Sequence, residues 1–182
     1  MRFLLVLAAL FLIAAPTRAE DMPAAEPVGE AAVTNGIPQS SGMPIPRFVT
    51  LRTNEINLRA GPSVNYPIDW VYIREGLPVE ITAEYDTWRR IRDIEGTEGW
   101  VHQSMLSGKR SLIVTGDDLQ PMYAKADSTA EIVARAQPNA MGQLEGCENA
   151  WCEVRFPTAD GEIDGYMPKA SFWGAYADEV VQ

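Results

Sequence analysis

Trp88-Arg89-Arg90-Ile91-Arg92-Asp93, then Glu95-Gly96-Thr97-Glu98-Gly99, then Trp100-Val101, is the stretch on which the fold turns. It reads as a strand, a turn and the opening of the next strand. Upstream, Val79, Ile81 and Ala83 alternate with Glu80, Thr82 and Glu84, the period-two pattern of a half-buried strand. No stretch after the first twenty residues keeps a helical period. Short strands separated by turn residues at this spacing argue for an all-β sandwich or small barrel.

The pattern recurs. Trp88, Ile91 and Gly99-Trp100-Val101 are followed by Trp151, Val154 and Gly165-Tyr166-Met167, at offsets of 63 to 66 residues. Leu106 closes the first copy and Phe172 the second. A period of this length matches a small domain duplicated in tandem, not a solenoid unit. The expected division is 47–114 for the first copy and 115–177 for the second, with a tail at 178–182.

Ahead of the copies, Met1-Arg2 and the apolar run Phe3 to Ala15 precede Pro16-Thr17-Arg18-Ala19. This is the layout of a signal peptide, 1–19, cleaved after Ala19. The apolar run is too short to cross a hydrocarbon core of roughly 30 Å. The expected destination is the periplasm, with no membrane insertion after cleavage. Residues 20–46 are rich in Ala, Pro, Glu and Gly and hold no aromatic residue. Such a stretch buries too little apolar surface to offset its ordering entropy, so it reads as a disordered tether. Residues 20 to about 44 are expected to make no stable contacts with the barrels, and the end, Met43-Pro44-Ile45-Pro46, is expected to be extended.

Charge and cysteine usage exclude several function classes. Without the signal, 13 basic and 25 acidic residues leave a charge of -12. Such a surface repels nucleic acid and anionic lipid. The distribution is uneven: residues 47–114 hold nine acids and nine bases, residues 115–182 twelve acids and four bases. Cys147 and Cys152 are the only cysteines, and in an oxidising compartment a disulfide is the default. One histidine and two cysteines do not make a metal site, so no metal or cofactor is expected. His102, the only histidine, follows Trp100-Val101, while both cysteines lie in the second copy. No nucleophile–base pair is visible, and the chain is expected not to be an enzyme.

The motif order resembles bacterial SH3-like domains. Asn57-Leu58-Arg59-Ala60-Gly61-Pro62-Ser63 looks like their opening motif, and Trp88-x-x-Ile91 and Gly99-Trp100-Val101 follow in the right sequence. More narrowly, Pro46-Arg47-Phe48-Val49 and the Trp151-Cys152 pair resemble a family of exported tandem SH3-like proteins of Gram-negative bacteria. The resemblance implies an all-β chain of two small SH3-like barrels after a signal peptide and linker. The second copy departs from the opening motif, with Pro121-Met122-Tyr123-Ala124-Lys125 in its place. Its Gly165-Tyr166-Met167-Pro168 is similar to the Gly-Tyr-Ile-Pro of eukaryotic SH3 domains, but Ser171 stands where their groove has a further aromatic.

Alternate residues of a strand share a face, so Trp88, Arg90 and Arg92 should point away from an inward Ile91. An aromatic shelf flanked by guanidiniums suits a carboxylate-bearing peptide. With Trp100 nearby, these four form the candidate ligand site, which Tyr66, Trp70 and Tyr72 could extend. The competing reading packs Trp88 against the neighbouring barrel and pairs the arginines with Glu84, Asp86 and Asp93. The expected function is a monomeric, non-catalytic envelope module that binds a peptide, either a peptidoglycan stem or a protein segment. The alternative is a structural scaffold for an envelope protein with no small-ligand groove.

Overall fold

The structure, a computed structural model, describes residues 40–182. The first copy supplies β1 (Arg47–Leu51), β2 (Ile56–Arg59), β3 (Ile68–Tyr72), β4 (Pro78–Tyr85), β5 (Trp88–Arg92), β6 (Glu98–His102) and β7 (Leu106–Ser107). The second supplies β8 (Ser111–Val114), β9 (Gln120–Tyr123), β10 (Ile132–Ala136), β11 (Met141–Glu148), β12 (Trp151–Thr158), β13 (Gly161–Pro168) and β14 (Phe172–Trp173). Each seven-stranded sheet is antiparallel wherever its strands pair. Their orders, β3-β2-β6-β5-β4-β1-β7 and β10-β9-β13-β12-β11-β8-β14, match strand for strand. The tandem duplication read from the tryptophan spacing is therefore a duplication of topology. A single 3₁₀ turn precedes the last strand of each copy, at Gln103–Met105 and Lys169–Ser171.

Alternating apolar residues build each core. Val49, Leu51, Ile56, Leu58, Val79, Ile81, Ile91 and Val101 close the first barrel. Leu112, Val114, Met122, Leu144, Val154, Phe156 and Met167 close the second. The hairpins that deliver the two tryptophans have matching two-residue turns, Asp86-Thr87 and Asn149-Ala150. Asp86 and Asn149 both have positive φ, at 49° and 52°, a conformation that short polar side chains tolerate. A disulfide joins Cys147 to Cys152 directly across the second hairpin.

Three expected boundaries change. β8 pairs with β11 and β14, so the second barrel begins at Ser111, not at 115. The tail at 178–182 is packed: Val181 exchanges backbone hydrogen bonds with Cys147 (2.9 and 3.1 Å), and Glu179 accepts from Arg110. The end of the tether is docked as well. Ser41 donates to Glu84 through its backbone N–H (2.8 Å) and its hydroxyl (2.6 Å), and Ile45 packs on the first core. Residues 43, 45 and 46 form bends instead of an extended run, with a cis Ile45–Pro46 bond. Composition could not reveal this docking, because it is driven by one buried carboxylate that needs donors. The signal peptide and the tether up to residue 39 lie outside the described residues.

That carboxylate is Glu84. A register shift between Ile81 and Ala83 places Glu84 opposite the inward-facing Arg89. Its side chain is fully buried, 3.3 Å from Arg89 and 2.7 Å from Arg47. Burial alone would raise its pKa. The bonds from Ser41 and Arg47 outweigh that and hold it at about 2.

The barrels meet through β1 and the segments around β8 and β14. The buried Phe48 ring lies edge-on to Trp173 (centroids 4.9 Å) and tilted against Tyr176 (4.8 Å). Thr50 and Ser111 share a buried hydroxyl hydrogen bond of 2.7 Å. Tyr176 donates to Glu80 at 2.5 Å, from the second copy to the first.

Candidate functional site

The exposed side of β5, β6 and β2 carries the candidate residues in cross-strand rows. Trp88 stands opposite His102, Arg90 opposite Trp100, and Arg92 opposite Glu98. Trp100 is in turn opposite Arg59 of β2. Directly opposed residues in an antiparallel sheet project to the same side. The central row is therefore Arg90, Trp100, Arg59, a tryptophan between two arginines in the register of the sheet. Ile91 and Arg89 are buried, so the strand parity expected from the sequence is the parity observed.

Gly99 lets β6 lie close to β2 below this face. A Cβ at Gly99 would sit 2.6 Å from the Leu58 side chain and 3.0 Å from the Arg59 carbonyl oxygen. Gly165 makes the equivalent approach to Met122 and Tyr123 in the second barrel.

Trp88 is half-buried, and its ring meets the His102 imidazole edge-on at 5.7 Å, within its own barrel. The arginines divide. Arg92 is turned to Glu80, a nearly buried carboxylate that it binds through Nε (2.9 Å) and Nη2. Since Tyr176 also donates to Glu80, Arg92 belongs to the junction between the copies. Arg90 pairs with Glu98 at 2.6 Å, with both side chains partly exposed. A pair of that kind contributes about 0–1 kcal/mol and is open to exchange with another carboxylate. The partners expected in the competing reading differ: Arg89, not a facing arginine, takes Glu84 and the Asp86 carbonyl oxygen.

Arg59 is the residue that reasoning about this face passed over. Its Nη1 donates to the carbonyl oxygens of Val64 and Tyr66 (3.1 and 2.8 Å), and among the described residues it has no carboxylate partner. The signal was present in Asn57-Leu58-Arg59, where an outward arginine alternates with the buried Leu58. Trp70 and Tyr66 are exposed near the sheet edge, whereas Tyr72 is core. Burial, and then the hydrogen bond to Asp93 (2.9 Å), raise the Tyr72 phenol pKa.

His102 Nδ1 lies 2.7 Å from the Ser104 hydroxyl and accepts the Ser104 N–H at 3.3 Å. The ring thus caps the 3₁₀ turn, and among the described residues no carboxylate orients it as a base. No group of metal-ligating side chains occurs among the described residues. No described helix is long and apolar enough to cross a membrane. Two clefts of about 750 and 620 Å³ lie elsewhere, and neither is lined by Trp88, Arg90 or Trp100. The first, between the barrels, is lined by Arg52, Lys109 and Arg110 together with Glu75 and Glu145, so its charge is mixed.

Among curated proteins, none matches the chain. Among solved structures, NlpC2 and NlpC1 from Trichomonas vaginalis are similar at 12% and 14% identity, with TM-scores of 0.32 and 0.31. Those matches cover 72% and 75% of this chain, which spans about half of each of theirs, 49% and 48%. The model of the bacterial SH3 domain family matches twice, at residues 52–108 and 116–174. Domains of this family are generally binding modules. With two matched copies and two equivalent seven-stranded sheets, the chain belongs to the bacterial SH3 domain family, as a tandem pair.

Proposed function

We propose that the chain is a non-catalytic binding module of the cell envelope. Its first barrel takes a carboxylate-bearing peptide, a peptidoglycan stem or a protein segment, on the face of Trp88, Arg90 and Trp100. The observation that carries this reading is the row Arg90–Trp100–Arg59. One guanidinium in it has no carboxylate partner among the described residues, and the other holds an exposed, exchangeable one. Two guanidinium forks over an indole shelf fit a carboxylate and the flat peptide group beside it. Arg59 thus takes the place that the sequence reading gave to Arg92. Export to the periplasm is supported by the apolar run Phe3 to Ala15 and by the disulfide. The capping role of His102 supports the absence of catalysis.

The test is titration of the exported chain with short peptides ending in a free carboxylate or in an amide, followed by tryptophan fluorescence. Arg59→Ala should weaken binding of the free acid about fivefold, and more at low salt. Equal binding of the amide, or no effect of Arg59→Ala and Trp100→Ala, would overturn the proposal. The scaffold alternative is favoured by the aromatic packing of Phe48, Trp173 and Tyr176 between the copies. It predicts that Phe48→Ala, not Arg59→Ala, abolishes association with envelope proteins.

A further inference from the structure

The second barrel presents the equivalent face with its charge reversed. Trp151 of β12 corresponds to Trp88, and Tyr166 of β13 to Trp100. Tyr166 stands opposite Tyr123 of β9, as Trp100 stands opposite Arg59. Glu153 stands opposite Tyr166, as Arg90 stands opposite Trp100. The row Arg90–Trp100–Arg59 thus becomes Glu153–Tyr166–Tyr123. Glu148, at the end of β11 opposite Trp151, adds a second carboxylate at the rim.

The three aromatic residues are half-buried, with their side chains neither in the core nor fully in solvent. Tyr123 and Trp151 meet edge-on, with ring centroids 5.5 Å apart. Glu148 and Glu153 are exposed, and neither has a basic partner among the described residues. The nearest base along β12, Arg155, is already surrounded by Glu145 (3.0 Å), Glu162 (3.6 Å) and Asp164 (2.6 Å). The face therefore combines π-surfaces with uncompensated negative charge, in a copy holding twelve acids and four bases.

We infer that this face is a second binding site, separate from the first, for a primary ammonium group carried on a peptide. The rings attract a cation through their quadrupoles within about 6 Å of the centroid, and Glu153 supplies the counter-charge beside them. A carboxylate ligand would meet repulsion here, so the two barrels would take chemically opposite parts of their ligands. The site does not depend on the first barrel's carboxylate reading and stands if that reading fails.

The experiment is titration of the ¹⁵N-labelled exported chain with acetyl-Ala-Lys-Ala-amide and with the same peptide acetylated on its lysine amine. The unmodified peptide should shift the Trp151 indole N–H and the amides of Tyr123 and Tyr166, leaving those of Trp88 and Trp100 unmoved. The acetylated peptide should not. Glu153→Gln, on an exposed position that leaves the fold intact, should weaken binding about fivefold, the effect of removing one exposed ion pair of about 1 kcal/mol. Arg90→Ala should not change it. Equal shifts with the acetylated peptide, unchanged affinity in Glu153→Gln, or no shift up to the peptide's solubility would overturn the inference.

Discussion

Glu84 is the point at which the first barrel is most sensitive to a small chemical change. Replacing it with Gln keeps its shape and removes its charge. At neutral pH the carboxylate accepts from Ser41 and Arg47 and lies 3.3 Å from Arg89, with no exposed side-chain surface. Its pKa is held at about 2 against an ordinary value of 4.5, which is worth about 3 kcal/mol of folding stability. Removing one member of a buried pair costs about 3–5 kcal/mol, so the two routes agree. The sign follows from the lowered pKa: the stabilisation is complete above about pH 5 and is lost as the pH falls towards 2. Urea denaturation of the parent chain and Glu84→Gln at pH 7, 5 and 3 is the assay. The parent should lead by about 3 kcal/mol at pH 7, and the gap should close on acidification, because a protonated Glu84 is nearly a Gln. A gap below about 1 kcal/mol at pH 7, or one that stays constant down to pH 3, would refute the reasoning.

Two further outcomes are expected. Phe48→Ala should cost about 3–5 kcal/mol and split one unfolding transition into two, because this ring joins the copies; differential scanning calorimetry reads both effects. The Cys147–Cys152 pair should show no reactive thiol in the exported protein. Replacing both by Ser should cost about 2 kcal/mol, since the closed loop is short, and should speed amide exchange at Val181, which forms a β-bridge with Cys147.

The all-β class, the two copies, the pairing of the cysteines and the outward parity of Trp88, Arg90 and Arg92 were legible in the sequence. Each depends on neighbours along the chain or on a two-residue period, which a linear reading samples directly. The sequence also put Trp100 near these residues; that it stands directly opposite Arg90 is a matter of strand register. The fate of individual charges was not legible. Glu80 and Glu84 read as the solvent side of an alternating strand, yet both are buried. One is covered by Arg92 and by Tyr176 from the far end of the chain, the other by Ser41 from the supposed tether and Arg47 at the start of β1. A carboxylate takes the donors that long-range folding brings to it, and no local pattern announces their distance in sequence. The same holds for Arg59, whose place beside Trp100 depends on β2 pairing with β6 across some forty residues. Local periodicity thus determined the barrels and the faces of their strands. Only the tertiary structure decided which arginine remained available to a ligand and which became part of the junction between the copies.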